Sequence, residues 1–137
     1  MHLRAAVNAN ELRERSRRFA LNVVRLCLKL GHDDLGQLIR PQLLRAGTGV
    51  ATNHRAAGRG RSNKEFAARL GVVVEEADES EFWLDALREL NYGPSADVGR
   101  LHQESVELRA IFSASRTTVL TRMKESKKAK RGQRDRS

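Results

Sequence analysis

The stretch Asn53–Leu87, NHRAAGRGRSNKEFAARLGVVVEEADESEFWLDAL, decides the fold because an arginine-rich turn runs directly into an acidic helix. Ser62 opens a capping box, in which its hydroxyl caps the new helix and Glu65 reaches back to the Ser62 amide. The helix therefore starts at Asn63. One face then repeats at spacings of three and four, which predicts about six turns ending before Gly93. That face consists of Phe66, Leu70, Val73, Ala77, Ser80, Leu84 and Leu87.

The preceding segment predicts two more helices. Asn10 is a suitable N-cap and Gly31 a suitable stop for the first helix. The second starts between Asp34 and Pro41 and ends within residues 55–58, with a kink or a late start because proline lacks an amide hydrogen. The buried face of the first helix consists of Leu12, Ser16, Phe19, Val23, Leu26 and Leu30.

Two glycines lie in the middle of the predicted second helix. Gly47 and Gly49 each cost roughly 1 kcal/mol of helix stability relative to alanine. Either another backbone packs closely against them or the helix tolerates them, and the sequence leaves both explanations open.

A fourth helix follows, capped by Ser95 or Asp97. Its apolar positions are Val98, Leu101, Ser105, Leu108, Phe112, Val119 and Met123. Residues 126–137, SKKAKRGQRDRS, contain one apolar side chain among six basic ones, which predicts a disordered or frayed tail. Four helices joined by short turns bury their apolar faces most simply in an up-down-up-down antiparallel arrangement. We therefore predict an all-α protein with a four-helix bundle domain, residues 1–125, and a basic disordered tail, residues 126–137.

Charge is unevenly distributed along the chain, which has a formal net charge of +9. Residues 1–61 carry +8, residues 62–97 carry −6 and residues 98–137 carry +7. This order indicates that charge is partly neutralised between helices, with the remaining positive charge on the outside and in the tail.

The sequence also indicates where the protein resides. Its single cysteine, Cys27, has no partner for an internal disulfide and fits inert packing in a reducing compartment. The apolar stretches are too short for a membrane span, and the N-terminus lacks the apolar core of a signal peptide. We therefore expect a cytoplasmic protein that does not associate with membranes.

Four segments carry a family resemblance: QLLRAGTGV from Gln42, NHRAAGRGRS from Asn53, EF at Glu65, and EEADESEFWLDAL from Glu75. Together they resemble the four-helix-bundle family named for the protein encoded by intervening sequences of bacterial large-subunit ribosomal RNA. The resemblance implies an antiparallel bundle that assembles as a homopentamer, with no established activity for most members. Related accessory variability proteins of diversity-generating retroelements use a basic surface to bind nucleic acid and a reverse transcriptase. The matching motif residues are Asn53, Arg55, Arg59, Arg61, Glu65, Phe66, Glu75, Glu76, Asp78 and Trp83.

The arginines offer two interpretations. Three guanidinium groups within seven residues could hold one phosphate segment, since each is a planar, bidentate donor. The candidate nucleic-acid-binding residues are Arg55, Arg59, Arg61, Lys64, Arg17 and Arg18. Alternatively, some of the three arginines fold back onto the next helix in interhelical ion pairs, and the two arrangements can coexist. The candidate acidic partners are Glu75, Glu76, Asp78 and Glu79.

Three apolar residues of the third helix lie off its buried face: Trp83, Phe82 and Val72. One bundle core cannot cover this extra apolar surface, so we expect it to form a subunit interface. Plain core burial is the alternative for Trp83.

Catalytic and metal-binding patterns are missing from the sequence. Di-metal bundles use Glu-x-x-His pairs, whereas the histidines here are scattered. Cys27 lies in a packing face, and no serine has the context of a catalytic nucleophile. Gly58-Arg59-Gly60 lacks the lysine of a phosphate-binding loop. The four histidines are His2, His32, His54 and His102.

We therefore expect no enzymatic activity, no metal and no cofactor. The sequence favours an oligomeric bundle that binds RNA or DNA through phosphate contacts, with little base preference because aromatic residues are few. The alternative is a protein-interaction scaffold or accessory subunit for an acidic protein partner, such as a reverse transcriptase.

Overall fold

The computed structural model describes residues 8–136, which form four helices and no strand. The predicted all-α four-helix bundle is confirmed. Residues 1–7, which include His2, and Ser137 lie outside the described residues, so the predictions for them are not addressed. The helices are α1 (Ala9–Leu28), α2 (Asp34–Ala57), α3 (Asn63–Glu89) and α4 (Ser95–Asp135).

Each helix packs on the next, and α3 lies between α2 and α4. The contact between α1 and α4 is the smallest of the helix contacts, which leaves an open groove along that side. All apolar positions of the predicted faces are buried except Phe66 and Met123, which are half-buried against the core.

Three serines are also fully buried. Each serine hydroxyl donates to a carbonyl of its own helix, so all three hydroxyl groups have a hydrogen-bond partner. They are Ser16, Ser80 and Ser105.

The ends of α1 differ from the prediction. Asn8, not Asn10, caps the helix, and its side chain accepts a hydrogen bond from the Glu11 amide at 2.8 Å. The regular helix ends at Leu28, before Gly31. The Lys29 and Leu30 amides bond to carbonyls three residues back, so the last turn tightens and keeps Leu30 in the core.

Helix α2 begins at Asp34, within the predicted range, and contains Pro41. Of the two predicted alternatives, a kink or a late start, the late start is wrong. The Asp33 carboxylate caps the helix by accepting from the Gly36 amide at 3.0 Å. Arg40 donates to the carbonyls at the end of α1, including that of Cys27 at 3.3 Å. These contacts hold the first turns of α2 despite the proline.

Gly47 and Gly49 of α2 both face neighbouring side chains. A Cβ added at Gly47 would lie 2.7 Å from a methyl carbon of Val23 in α1. A Cβ at Gly49 would lie 2.5 Å from a carboxylate oxygen of Glu76 in α3. Close packing therefore explains Gly47, whereas the group beside Gly49 is the flexible end of a side chain, and in both cases the nearest atoms belong to a side chain and not to a backbone.

The start of α3 is confirmed at Asn63, where the Ser62 hydroxyl accepts from the Glu65 amide at 3.1 Å. The start of α4 is not as predicted, because Pro94 is the N-cap and no side chain caps the helix. Asp97 instead bonds to Lys29 at 2.9 Å and to Arg100. These bonds, led by that from Lys29, lower the pKa of the Asp97 carboxyl.

The predicted disordered tail is wrong for residues 126–135, which continue α4. Lysine, arginine, glutamine and alanine all favour helix. A helix that is already anchored by the bundle also propagates without a new nucleation cost. Composition alone indicated disorder because this segment has almost nothing to bury.

Candidate nucleic-acid interface

Four exposed cations surround the turn between α2 and α3, and we refer to them as the turn cluster: Arg55, Arg59, Arg61 and Lys64. Arg55 lies in the last turn of α2 and Lys64 in the first turn of α3. Within residues 8–136, none of the four forms an ion pair or a side-chain hydrogen bond. The cluster is therefore available to an external anion.

Backbone hydrogen bonds and core packing hold this turn in place. The Arg59 amide donates to the Ala56 carbonyl at 3.1 Å, and the Gly60 amide donates to the Ala57 carbonyl at 3.0 Å. Ala57 before the turn is buried in the core, as is Ala67 after it. Because the flanking residues are buried, the turn is fixed while its arginine side chains remain in solvent.

The start of α1 lies beside the end of α2, and side chains of both helices line a shallow groove there. Arg17 reaches Glu14 at 3.3 Å and Arg18 reaches the same carboxylate at 3.6 Å, so these two predicted binding residues are partly neutralised. Arg13 also lines the groove and bonds to Asn10 at 3.3 Å. No local sequence signal identifies Arg13 as a binding residue, because only the packing of α1 on α2 brings it to the cluster.

The acidic face of α3 pairs with other arginines than those of the turn. Glu79 forms an ion pair with Arg45 in the middle of α2. On the other side, the Nε of Arg109 in α4 lies 2.7 Å from Glu81 and 3.9 Å from Asp78. Folding back of the turn arginines onto this face is therefore not observed. No local pattern identifies Arg45 and Arg109, since their pairing depends on helix register.

Glu75 and Glu76 were also predicted to form interhelical ion pairs, and this is wrong among the described residues. Glu75 is exposed, whereas Glu76 is half-buried over Gly49. Burial raises the pKa of the Glu76 carboxyl, and the neighbouring Glu79 raises it further. The register of the helices places no cation of residues 8–136 within ion-pair distance of either carboxylate.

His54 lies in α2, one residue before Arg55, and packs inward. Its ring centroid is 4.9 Å from that of Phe112, and its Nδ1 atom is buried without a hydrogen-bond partner among the described residues. Burial lowers the pKa of His54, and the positive charge of Arg13 lowers it further. His54 therefore acts as a neutral packing residue beneath the cationic surface.

The three candidate interface residues of α3 differ in exposure. Trp83 is half-buried and packs against the core, while Val72 is exposed. Phe82 is 62% exposed and packs edge-on against Trp83 at a centroid distance of 4.9 Å. Phe82 is thus the large aromatic group that the bundle leaves open to solvent.

Residues 8–136 contain no group of three or more His, Cys, Asp or Glu side chains arranged to hold a metal ion. Burial raises the pKa of the Cys27 thiol to about 11, which suppresses the reactive thiolate. None of the described helices is long and apolar enough to cross a membrane.

The family model of the 23S rRNA-intervening sequence protein matches residues 8–114. The chain belongs to this family. A crystal structure from the S23 ribosomal protein family of Bacteroides thetaiotaomicron, a protein of unknown function, is similar, with 26% sequence identity and a TM-score of 0.69. The similarity covers 75% of this chain and 95% of that chain. No curated protein is detectably similar in sequence. The family match ends at Ala114, so the rest of α4 lies beyond it.

Proposed function

We propose that this family member binds RNA or DNA without catalysing a reaction, through contacts between phosphates and the turn cluster. One observation carries the proposal: Arg55, Arg59, Arg61 and Lys64 are exposed and form no ion pair within residues 8–136, whereas Arg45 and Arg109 pair with the acidic face of α3. Cations that stabilised the bundle would be expected to contact its carboxylates.

The chemistry of the cluster suits phosphate recognition with little base preference. Guanidinium groups bind phosphate oxygens in bidentate geometry, and each contact releases condensed counterions from the nucleic acid. Base recognition by stacking needs exposed aromatic rings. The exposed ring of Phe82 lies on the acidic helix α3, away from the cluster, which favours backbone contacts over base contacts.

We also propose that the protein is a cytoplasmic homo-oligomer. The exposure of Phe82 and Val72 supports a contact with another copy, because a bundle buries such groups when it can. The unpaired, buried Cys27 is compatible with a reducing compartment.

Fluorescence anisotropy with a labelled single-stranded RNA, repeated at several salt concentrations, tests the binding proposal. We expect the logarithm of the association constant to fall linearly with the logarithm of the salt concentration. The double variant Arg59→Gln/Arg61→Gln should weaken binding. It should also make this linear dependence shallower: we call its gradient the salt slope, and it should fall by about 1.4, at about 0.7 for each lost phosphate contact.

The matched control removes two charges at the other end of the bundle. Among the described residues, Arg25 bonds to Asn22 of its own helix and Arg88 bonds to Asp85 of its own helix. The variant Arg25→Gln/Arg88→Gln should retain most of the affinity and slope. Equal losses in both variants, or wild-type affinity that does not change with salt, would reject the turn cluster as the binding surface. Failure of the wild type to bind at low salt would favour the acidic-protein scaffold instead.

A further inference from the structure

Helix α4 extends far beyond the rest of the bundle at the end that carries the turn cluster. The Nε of Arg116 donates to the Ala67 carbonyl of α3 at 3.2 Å, which fixes the register of these antiparallel helices. The start of α3 at Asn63 therefore lies about one turn further along α4. Leu120 and Met123 are the last apolar residues of α4 that pack against the core.

Residues 124–135 form the projecting part of α4, which we call the arm. Every residue of the arm is exposed except Gly132, and at 1.5 Å per residue the arm is about 18 Å long. It lies outside the family match, which ends at Ala114. The charged residues of the arm are Lys124, Glu125, Lys127, Lys128, Lys130, Arg131, Arg134 and Asp135.

The buried face of α4 continues into the arm as a row of cations. Val119 and Met123 are four residues apart, and Lys127, Lys130 and Arg134 continue the same face at spacings of four, three and four. These three cations and Arg131 line one shallow concavity, and we call the four residues the inner stripe: Lys127, Lys130, Arg131 and Arg134. The face that is apolar inside the bundle is thus cationic where it overhangs the bundle end.

The four cations of the inner stripe form no ion pair within residues 8–136. Lys127 and Arg131 are four residues apart, as are Lys130 and Arg134, and like charges at this spacing destabilise a helix. A polyanion bound along the stripe would remove this repulsion.

We propose that the inner stripe and the turn cluster together form one cationic corner, in which the phosphate backbone of a nucleic acid runs from the bundle end along the arm. Laid parallel to a duplex axis, the arm spans about five phosphates of one strand, at about 3.4 Å of axial rise each. This inference rests on the proposed function, and it adds a second group of contact residues to the same site.

The composition of the arm favours phosphate over other anionic partners. Ala129 is the one apolar side chain apart from glycine in residues 124–135. A membrane-surface helix needs an apolar face, and protein interfaces depend on aromatic or aliphatic anchors. A helix that binds the phosphate backbone of a nucleic acid needs neither an apolar face nor such anchors.

Anisotropy titrations of a labelled single-stranded RNA and a labelled DNA duplex over a range of salt concentrations test the proposal. The variant Lys127→Gln/Lys130→Gln/Arg131→Gln/Arg134→Gln removes the inner stripe and keeps strong helix formers. We expect an affinity loss of about tenfold or more, with a salt slope reduced by up to about 3 for the single strand and about 4 for the duplex. If the substitutions weaken binding to one of the two probes more than to the other, that probe is the nucleic acid that the inner stripe prefers.

The control removes three charges from the other faces of α4 and from its C-cap. Arg122→Gln/Lys128→Gln/Arg136→Gln should cause less than half of the slope change, and both variants should keep the wild-type melting temperature. Equal losses in the two variants would show a diffuse cationic helix and overturn the proposal.

Two further outcomes separate this inference from the proposed function. If the stripe variant binds like the wild type while Arg59→Gln/Arg61→Gln does not, the arm is not part of the site and only the turn cluster remains. If the wild type binds neither nucleic acid, the proposed function fails with it. Stripe-dependent binding to phosphatidylserine vesicles, without binding to nucleic acid, would also overturn the proposal.

Discussion

Gly47 of α2 packs directly against Val23 of α1, and a Cβ at Gly47 would lie 2.7 Å from one Val23 methyl carbon and 2.9 Å from the other. Val23 is fully buried and β-branched, so its side chain has little freedom to move away. This contact sets how closely α1 and α2 approach each other.

The variant Gly47→Ala should therefore destabilise the bundle, although alanine is the better helix former. Overpacking costs about 1–3 kcal/mol, which exceeds the roughly 1 kcal/mol gained in helix propensity. Denaturant unfolding followed by circular dichroism measures the difference. Gly99→Ala is the control, because a Cβ there meets nothing within 4 Å, and it should leave stability unchanged or higher. Equal stability of the two variants would contradict this packing argument.

Arg15 joins α1 to α4 across the open groove. Its Nε and Nη2 atoms each lie 2.7 Å from a carboxylate oxygen of Glu104, and Nη2 also lies 2.7 Å from Glu107. A double-mutant cycle with Arg15→Ala and Glu104→Ala should give a coupling free energy of about 1 kcal/mol, since the hydrogen bonds are charge-assisted and partly buried. The exposed pair of Arg17 and Glu14 should give less than about 0.5 kcal/mol. Coupling no larger than that of the exposed pair would mean that Arg15 does not tie the helices together.

His54 should make the stability of the protein depend on pH. Because burial lowers its pKa in the folded state, the unfolded chain binds a proton first as the pH falls. Its contribution to stability is present above the unfolded pKa of about 6.5 and decreases as the pH falls from there toward the folded pKa. The measurement is the free energy of unfolding at pH 7.5 and at lower pH.

The variant His54→Gln should lose that part of the pH dependence, since glutamine does not titrate. His32 is exposed, so His32→Gln serves as the control and should retain the wild-type profile. A His54→Gln profile identical to that of the wild type would show that His54 is not responsible.

A substitution at Phe82 tests the proposal that the protein is a homo-oligomer. If its exposed ring packs against another copy, Phe82→Ala should lower the mass measured by light scattering while the helix content stays unchanged. Leu28 is also exposed, at 80%, and lies at the end of α1, a helix that does not pack on α3. Leu28→Ala is therefore the control and should keep the wild-type mass. A monomeric wild type, or an oligomer unaffected by Phe82→Ala, would remove Phe82 from any subunit contact.

Truncation after Lys124 should remove most of the arm without cost to the bundle. No apolar residue beyond Met123 packs against the core, so we expect the melting temperature to remain within error of the wild type. The mean residue ellipticity at 222 nm should become weaker in proportion to the missing helical residues. A large fall in the melting temperature would indicate contacts between the arm and the bundle.

Much of the fold could be predicted because the relevant signals are local. The Ser62 cap and the spacing of Leu70, Val73 and Ala77 depend only on neighbouring residues, and the structure confirms the start of α3 and its buried face. The ends of α1 and α2 were less predictable, since Arg40 reaches across to the carbonyls of α1 and stabilises a helix start that Pro41 argues against.

For the candidate site, too, local sequence predicted some features and the packing of the helices decided others. The exposure of Arg59 and Arg61 was one of two possibilities in the sequence, because the acidic face of α3 offered carboxylates to any nearby arginine. Helix register decided which arginines reach it, and these are Arg45 and Arg109. The helical arm was not predicted either, because its composition shows that it has nothing to bury but not that α4 already anchors it.

By itself the sequence determined the number of helices, the faces they bury and the concentration of positive charge, since these depend on periodicity, capping and composition within single segments. Only the tertiary structure decided which charges pair, which glycines lie under a neighbouring side chain, and that the arm projects from the bundle end that carries the turn cluster. The physical reason is that ion pairs and close contacts act over a few ångströms between residues far apart in the chain, so they exist only once the helices have a fixed register.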